Sequence, residues 1–351
     1  MAAANPVSGP VVSVIVPARN EEASLGACLE SLVGQTGILF EVIVVDDGST
    51  DRTRQIATSF PSVKLIEAPP LPLGWSGKNN AVTAGARVAR GRWLLFTDAD
   101  TVHLPASLSR SVTEAEQNRM ALLSYSPEQE VHGVLEKAVM PVIFAELAAT
   151  YRPSQVSDPR SSAAAANGQY LLVSREAYDA VGGHAAIGGS LLEDVALAKR
   201  VKQSRRKIFF RYGGDAVRTR MYRSFAQLRE GWTKNLALLF ASPVQIALLR
   251  LLEFVLIAGS ATLAVVAIAE GRVRVGIVLG LLALVLYAFL MKRIRLAHFS
   301  WDANALSLYG LPIFSYLLLR SAISYKRGQV SWKGRQYGAS QEPNPGALQI
   351  L

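Results

Sequence analysis

The sequence predicts an α/β domain with a mostly parallel sheet, followed by C-terminal helices that cross a membrane. Two observations support this fold class. In the first half of the chain, short apolar runs alternate with segments of helical periodicity, which is the pattern of a parallel sheet covered by helices on both faces. In the last third, three apolar stretches approach the ~20 residues that a helix needs to cross a bilayer.

The order of strands and helices follows from the alternation of these runs. Strands are predicted at Val11–Val16, Glu41–Val45, Val63–Ile66, Trp93–Phe96, Ala121–Tyr125 and Gln169–Val173. Helices are predicted at Glu21–Leu32, Thr53–Ser59, Asn79–Ala89, Leu104–Gln117, Val131–Tyr151, Arg175–Val181, Leu192–Lys202 and Ser224–Leu239. The Ser-, Ala-, Pro- and Asn-rich segment Arg152–Gly168 predicts a mobile loop. In such sheets ligands bind at the carboxyl ends of the strands.

The apolar stretches are Leu251–Ala269, Val275–Met291 and Leu306–Ile323. Their length and low charge favour membrane helices over the buried core helices of a soluble domain. Arg250 and Glu253 are expected at a helix start, where their charges can reach the membrane interface.

The side of the membrane on which the C-terminal tail lies is ambiguous. The tail has the basic composition of a cytoplasmic segment, with Lys326, Arg327, Lys333 and Arg335. Three crossings would nevertheless place it opposite the N-terminal domain. The last apolar stretch, which contains Gly310 and Pro312, is therefore a candidate for a re-entrant rather than a spanning segment, and the sequence leaves both arrangements open.

Composition narrows the possible partners. The 351 residues are 50% hydrophobic and include a single cysteine, Cys28, so an internal disulfide framework and a cysteine-based zinc site are excluded. The histidines are scattered, which leaves carboxylates as metal ligands. The formal net charge of +10 fits nucleic acid, anionic lipid or an anionic substrate, but the apolar stretches favour lipid, and no nucleic-acid partner is expected. The N-terminus has no signal-peptide pattern, so the first domain is expected to stay in the cytosol.

Two aspartates follow the apolar run in "LLFTDADTVH". Asp98 and Asp100 can bind a hard divalent cation, which usually takes one or two carboxylates and completes its coordination with water and phosphate oxygens. Asp-x-Asp is common in solvated turns, but its place directly after a strand favours a phosphate site. For His103, a structural role is favoured over that of an additional ligand.

Three further stretches offer polar groups at strand or helix ends. In "VIVVDDGSTD", Asp46 and Asp47 can contact a base or a ribose hydroxyl while Gly48 permits a tight turn and Ser49–Asp51 cap the next helix. In "GWSGKNNAV", Lys78 near a helix start suits a diphosphate, and the spacing of a Walker A loop is absent. Glu193 and Asp194 are either a pair stabilised by the helix dipole or a general base near an acceptor hydroxyl.

Taken in order, several motifs resemble a family 2 glycosyltransferase with the GT-A fold, over Val11 to Trp232. They are "VSVIVPARNEEASLGACLESL", "EVIVVDDGSTDRT", "GKNNAV", "FTDADT", "NGQYLLVSREAYDAVGGH" and "LLEDVALAKRVK". The segments "PLPLGWSGKNNAV", "RMYRSF", "GWTKN" and "VSWKGRQY", together with the C-terminal apolar stretches, resemble the membrane-bound bacterial branch of this family. That branch includes hopanoid-associated and carotenoid glycosyltransferases and relatives of ceramide glucosyltransferase.

This resemblance implies a nucleotide-diphosphate-sugar donor, expected to be a UDP-sugar, and transfer with inversion to a lipid or isoprenoid-type acceptor. It implies Mg²⁺ or Mn²⁺ on Asp98 and Asp100, and Asp194 as the base with Glu193 beside it. The residues implied at the nucleotide sugar are Pro17, Asn20, Glu22, Asp46, Asp47, Lys78 and Asp98. Processive members have a Gln-x-x-Arg-Trp motif, whereas Gln227, Arg229 and Trp232 are spaced differently here; Arg229 and Trp232 are assigned to the acceptor site.

The resulting hypothesis divides the chain into a GT-A domain (1–235), a membrane domain of about three helices (236–325) and a basic tail (326–351). It places a multi-pass protein in the inner membrane with its catalytic domain facing the cytoplasm. Two alternatives remain open. One is sugar transfer to polyprenyl phosphate or to a polysaccharide. The other is an inactive GT-A domain that acts as a membrane scaffold, although the four expected acidic residues, Asp47, Asp98, Asp100 and Asp194, are all present.

Overall fold

The computed structural model describes residues 9–332 and 335–337, and these fall into two compact units. The first unit comprises residues 9–129 and 153–221, and the second comprises residues 130–152, 222–332 and 335–337. Residues 1–8 at the N-terminus, and residues 333–334 and 338–351 of the predicted tail, lie outside the described part.

The strands and helices alternate through the first unit, and helices dominate the second. The strands are β1 (Val12–Ala18), β2 (Phe40–Asp46), β3 (Val63–Glu67), β4 (Trp93–Phe96), β5 (Thr101–His103), β6 (Leu122–Ser126), β7 (Glu128–Gln129), β8 (Leu171–Ser174), β9 (Ile208–Tyr212), β10 (Val217–Thr219), β11 (Val330–Trp332) and β12 (Arg335–Tyr337). The helices are α1 (Leu25–Val33), α2 (Thr53–Thr58), α3 (Gly77–Val88), α4 (Ser107–Gln117), α5 (Gly133–Thr150), α6 (Pro153–Ser157), α7 (Arg175–Ala180), α8 (Glu193–Gln203), α9 (Phe225–Leu239), α10 (Pro243–Ala269), α11 (Val273–Ile294) and α12 (Trp301–Lys326). Short 3₁₀ turns lie at His184–Ile187 and Arg295–Ala297.

A seven-stranded sheet in the order β3-β2-β1-β4-β8-β6-β9 forms the first unit. Strand β8 runs antiparallel to both of its neighbours, and the other pairs are parallel. In register, Val12 faces both Phe40 and Trp93, so the carboxyl ends of β1, β2 and β4 meet at one edge of the sheet. A three-stranded sheet, β5-β10-β7, follows the Asp98–Asp100 turn.

The sheet of the first unit is covered on both faces. On one face, Val14, Val16 and Leu95 belong to an apolar cluster that also contains Leu29 of α1 and Val112 of α4. On the other face, helix α3 approaches β1 so closely that a Cβ on Gly85 would lie 2.5 Å from Ile15 Cγ2. Burial on both faces explains why the central strands appear in the sequence as continuous apolar runs.

The second unit contains α5, α9 and the three long helices α10 to α12. Helices α10 (Pro243–Ala269), α12 (Trp301–Lys326) and the segment Val273–Ala297, which includes α11, are each long and apolar enough to cross a membrane. Helix α12 packs closely on α5 at Gly310. A Cβ at this position would overlap the carbonyl of Ala138.

The predicted fold class is confirmed, with the expected elements present and their ends displaced by a few residues. Two positions differ in a way that matters. Helix α5, predicted within the 1–235 domain, and helix α9, predicted across its boundary, belong to the second unit because they pack on α12. Helix α10 begins at Pro243, so Arg250 and Glu253 lie two to three turns inside it, not at a helix start.

Six short strands were not predicted from the sequence: β5, β7, β9, β10, β11 and β12. The segment predicted as a mobile loop contains α6, and Lys202 Nζ donates to carbonyls of Gln155, Val156 and Ala163 in it.

Candidate active site

The turn after β4 presents Asp98 and Asp100 at the carboxyl edge of the sheet, where the sequence predicts them. Their main chain is held by buried hydroxyl groups. Thr101 Oγ1 donates to the carbonyl of Asp98 at 2.6 Å, and Thr219 Oγ1 donates to that of Asp100 at 3.1 Å. The two carboxylates therefore project from a fixed backbone, while both residues stay partly exposed.

A buried polar network supports this turn from below. Thr97 Oγ1 donates to the carbonyl of Gln169 at 2.7 Å, and His103 Nε2 lies 3.1 Å from the same hydroxyl oxygen. Burial lowers the pKa of His103 to about 3, so the neutral ring is a hydrogen-bonding partner inside the domain. The burial of the ring and its contact with Thr97 support the structural interpretation of His103.

Lys78 connects the turn after β4 with the start of α8. Its Nζ lies 2.7 Å from Asp98 Oδ1 and 2.7 Å from Glu193 Oε1. Burial alone would lower the pKa of Lys78, but the negative charges of Asp98, Glu193 and Asp194 raise it well above its ordinary value. The ammonium group therefore stays charged and holds together carboxylates from two distant parts of the chain.

The position of Lys78 is set by the N-terminus of α3. Ser76 Oγ accepts from the backbone N–H of Asn79 at 3.1 Å and caps the helix. The buried side chain of Asn79 then donates through Nδ2 to the carbonyls of Ile187 (3.1 Å), Gly188 (2.9 Å) and Ser190 (2.8 Å). The loop before α8 is thus locked to the start of α3. Sequence reasoning assigned no role to Asn79, although it lies in the quoted "GKNNAV".

The first turn of α8 holds the acidic pair. Asp194 Oδ2 accepts from the backbone N–H of Gly168 at 2.9 Å, and Oδ1 accepts from that of Val195 at 2.8 Å. Burial, and then the neighbouring charge of Glu193, raise the pKa of Asp194 to about 6, against the opposing effect of Lys78. A carboxylate of this kind is ionised at neutral pH and binds a proton more strongly than an ordinary aspartate, which suits a general base.

Gly168 allows the chain to pass close to this cluster. A Cβ at this position would lie 2.9 Å from Lys78 Nζ and 3.3 Å from Glu193 Oε1. Because only glycine lacks that atom, the backbone N–H can reach Asp194 without displacing Lys78. From the sequence Gly168 appeared only as the end of a loop, and its place in "NGQY" was the available signal.

The ends of β1 and β2 and the loops that follow them hold five of the predicted nucleotide residues. Asn20 Oδ1 accepts from the backbone N–H of Thr50 at 2.9 Å, and Glu22 Oε2 accepts from that of Arg52 at 3.2 Å. These two side chains join the loops to each other. Pro17 lies in β1, partly buried, one residue before that strand ends.

The adjacent aspartates at the end of β2 differ in environment. The Asp46 side chain is buried, and its carboxylate accepts from the backbone N–H of Ser49 at 3.2 Å and faces Arg54 at 3.4 Å. Asp47 is partly exposed, and its backbone carbonyl accepts from Arg19 Nη1 at 2.6 Å. Asp47 thus has the more accessible carboxylate of the two.

The two residues predicted at the acceptor site lie in α9 of the second unit. Arg229 is exposed. Trp232 is buried, with its ring centroid 6.1 Å from those of Phe144 and Tyr222. Trp232 is therefore a core residue of the second unit.

The donor atoms at the turn after β4 fit a hard divalent cation. Asp98 and Asp100 supply carboxylate oxygens, the ligands that Mg²⁺ and Mn²⁺ prefer. Within residues 9–332 and 335–337, no group of three or more His, Cys, Asp or Glu residues is arranged to hold a metal ion. The ammonium of Lys78 already places a positive charge against Asp98. This arrangement suits a cation that brings further oxygen ligands with a bound diphosphate.

The sheet order and the Asp98-x-Asp100 turn at its carboxyl edge define a GT-A glycosyltransferase fold. A mannosyltransferase from Pyrobaculum calidifontis, solved in complex with GDP-Man and Mn²⁺, has the same fold with a TM-score of 0.51; it is 17% identical, and the similarity covers 92% of this chain and 88% of that one.

Residues 13–180 match the family model described as "Glycosyl transferase family 2". The chain is also similar to curated relatives named 4,4'-diaponeurosporenoate glycosyltransferase. The protein from Staphylococcus aureus strain MRSA252 is 28% identical over 340 residues, covering 94% of this chain and 89% of the relative. The protein from strain USA300 is 27% identical over 342 residues, with the same coverage.

Replacing Lys78 by Met tests its role as the resident cation. Removing the ammonium leaves Asp98 and Glu193 without their shared counter-charge, so Mn²⁺ affinity in the absence of nucleotide should increase by about tenfold or more, because ~1.4 kcal/mol of electrostatic free energy corresponds to a factor of ten. Free Mn²⁺ is measured by electron paramagnetic resonance, with the exposed Lys64→Met as the charge-matched control. Unchanged Mn²⁺ affinity in Lys78→Met would contradict this role.

A general base at Asp194, the role that the sequence predicts for this residue, would make the rate of sugar transfer depend on pH. A base must be ionised to accept a proton, so the rate of sugar transfer at saturating substrate should rise with pH through about 6, where Asp194 titrates. Glu193→Gln removes the negative charge beside Asp194 and lowers the pKa of Asp194. The rise of the rate should therefore move to lower pH in this variant. If the rate rose at the same pH in wild type and Glu193→Gln, the Glu193–Asp194 pair would not control the pH dependence.

Proposed function

We propose that this protein is a membrane-bound, metal-dependent glycosyltransferase that transfers a sugar, with inversion, from a nucleotide-diphosphate sugar to a lipid or isoprenoid-type acceptor. The preferred donor is a UDP-sugar. The observation on which the proposal depends is the Lys78 bridge, which brings Asp98 of the predicted donor site to the acidic pair Glu193–Asp194 of the predicted acceptor site.

On the donor side, Asp98 and Asp100 would hold Mg²⁺ or Mn²⁺. The bound cation would supply positive charge against the diphosphate as it leaves. Lys78 lies at the same carboxylate and offers a second positive charge for the diphosphate. Asp98 thus has two cationic partners available, and donor binding would redistribute them.

On the acceptor side, Asp194 would accept the proton of the acceptor hydroxyl. The hydroxyl oxygen then forms a bond to the anomeric carbon while the bond from that carbon to the diphosphate oxygen breaks, and its electron pair leaves with the diphosphate. Attack opposite the leaving group inverts the configuration. The backbone N–H groups of Gly168 and Val195 fix the orientation of the base, and Glu193 helps to position the acceptor.

The nucleotide would lie at the ends of β1 and β2. We assign the base contact to the partly exposed Asp47, with the buried Asp46 shaping the turn beneath it. Pro17, Asn20 and Glu22 would line the nucleotide from the loop after β1. The bonds of Asn20 and Glu22 to the backbone of the β2 loop would keep that wall in place.

The lipid acceptor is supported by the second unit and by the relatives. Three helices are apolar enough to cross a membrane, and the curated relatives are named for transfer to 4,4'-diaponeurosporenoate. Arg229 on the exposed side of α9 is retained as an acceptor-site candidate, whereas the buried Trp232 would act by supporting that helix. We place the protein in the inner membrane with its catalytic domain on the cytoplasmic side, as the basic end of α11 favours.

Lipid-product mass spectrometry tests this function. Detergent-purified protein is incubated with a panel of UDP- and GDP-sugars, Mg²⁺ or Mn²⁺, and a total bacterial lipid extract. We expect one neutral lipid to gain a single sugar mass only when metal is present. Asp100→Asn and Asp194→Asn should each lower transfer on the order of 10²-fold or more, but only Asp100→Asn should weaken metal-dependent UDP binding.

The partly exposed Asp158→Asn is the matched control, since its carboxylate pairs with Arg160 two residues away. Normal transfer by Asp194→Asn would refute the assignment of the base. A lipid-linked phosphosugar product would instead identify polyprenyl phosphate as the acceptor. If the protein neither bound nucleotide nor transferred sugar, the result would support an inactive GT-A domain that acts as a membrane scaffold.

A further inference from the structure

Helices α10 and α11 form an antiparallel hairpin with two distinct ends. At one end, a Cβ on Gly276 of α11 would lie 2.9 Å from the carbonyl of Ala264 of α10; this end, with the connection at residues 270–272, is called the distal end. At the other end, Arg293 of α11 pairs with Glu253 of α10 at 2.8 Å. This proximal end contains the start of α10 and the end of α11.

A cluster of four charges marks the proximal end. Arg250 Nε lies 2.8 Å from Glu146 Oε1 of α5, and Arg250 and Arg293 both pair with Glu253. The cluster is nearly buried, and its two positive and two negative charges balance. Helix α5 therefore lies at the proximal end of the hairpin, at the level where charged groups are gathered.

Helix α12 starts at the proximal end. It follows α11 after the short segment 295–300, and Asp302 in its first turn pairs with Lys137 of α5 at 2.6 Å. One turn later, the carbonyl of Ala305 accepts from Tyr287 of α11 at 3.3 Å.

The C-terminal half of α12 also lies at the proximal end. Ser315 Oγ donates to the carbonyl of Ala247, near the start of α10, at 2.8 Å. Tyr325, one residue before α12 ends, donates to the carbonyl of Lys234 in α9 at 2.7 Å, and it lines a pocket with Pro243. A helix that crossed the membrane beside α11 would instead end next to Ala269. Both ends of α12 are therefore at the same end of the hairpin.

Burial separates α12 from the other two apolar helices. In its 18-residue apolar stretch, 50% is buried within the protein, whereas the corresponding share is 17% for each of α10 and α11. Its buried face includes Ser307, Ser315 and Ser321, and Ser321 Oγ donates to the carbonyl of Thr233. By contrast, Val265 and Val278, toward the distal end, remain exposed, as expected of side chains that face lipid tails.

The exposed face of α12 has the composition of a membrane interface. Trp301 (83% exposed), Tyr309 (63%) and Tyr316 (44%) lie on one stripe of the helix, which Ala305, Arg320 and Ile323 continue. Trp, Tyr and Arg are the residue types that collect at the level of lipid headgroups. In a crossing helix, Tyr309 and Tyr316 would have to face hydrocarbon.

We propose that only α10 and α11 cross the bilayer, and that α12 lies along its surface with the Trp301–Tyr309–Tyr316–Arg320 stripe on the lipid headgroups. The partner of this stripe is a phospholipid surface. The C-terminal tail then stays on the side of the membrane from which α10 enters, which agrees with its basic composition. The inference rests on the membrane association proposed above and is independent of sugar transfer.

The topology can be tested with single cysteines, because the chain contains only Cys28, which is buried. Cysteines replace Ala226 in α9, Glu270 at the distal connection and Ser340 in the tail. Each variant is labelled with a membrane-impermeant maleimide in vesicles of both orientations, with wild type as the blank. We expect Ala226→Cys and Ser340→Cys to react from one side and Glu270→Cys from the other. Reaction of Ser340→Cys and Glu270→Cys from the same side would overturn the proposal.

The position of α12 itself is measured by depth. A nitroxide attached at Tyr309→Cys should report the headgroup region, whereas one at Leu281→Cys, in the middle of α11, should report the hydrocarbon core. Equal depths for the two sites would overturn the surface position of α12. Recovery of the protein in the soluble fraction would overturn both this topology and the membrane association proposed above, while the labelling outcomes concern the topology alone.

Discussion

The ion bridge of Lys78 is the interaction on which the candidate site depends. Asp98, Glu193 and Asp194 come from segments almost 100 residues apart, and three carboxylates cannot be gathered in a partly buried place without compensating positive charge. Lys78 supplies it through two contacts of 2.7 Å. Because the lysine is held by the N-terminus of α3, the start of that helix determines where the end of β4 and the start of α8 meet.

Neutral hydrogen bonds make this arrangement rigid. The Asn79 amide fastens the loop before α8, and the hydroxyls of Thr97, Thr101 and Thr219 fasten the turn that presents Asp98 and Asp100. Buried polar groups are costly unless satisfied, so a connected network of this kind favours one geometry over its alternatives. A preorganised site loses little free energy to rearrangement when charge develops during a reaction. The positions of the charged groups are thus set by hydrogen bonds from neutral side chains.

Much of the fold was predictable because it is local. Apolar runs buried on both faces identify β1, β2 and β4, and the parallel arrangement implies that Asp47 and Asp98 follow strands that end at one edge. Strands β5, β7 and β10 were missed because each has three residues or fewer and pairs with partners far along the chain. The antiparallel insertion of β8 between β4 and β6 has no signature in periodicity.

In the candidate site, too, local features were predictable and contacts between distant segments were not. Acidic residues at strand and helix ends could be identified from the sequence, but the contact between Lys78 and Glu193 could not, because nothing local relates them. Asn79 and Gly168 were missed for a related reason: an amide and a missing Cβ acquire a role only through tertiary neighbours. Arg250 and Glu253 were placed at a helix start because hydropathy does not detect the first turns of α10, which precede the apolar run.

The central claim is that Asp98 and Asp100 form a donor site in which a divalent cation takes over the position of Lys78 at Asp98. A structure of the protein with Mn²⁺ and UDP, with the metal located by anomalous scattering, tests it most directly. The account predicts an anomalous peak at the carboxylates of Asp98 and Asp100, with Lys78 Nζ displaced from Asp98 toward the diphosphate or Glu193. A peak elsewhere, or bound UDP with the Lys78–Asp98 contact intact, would contradict it.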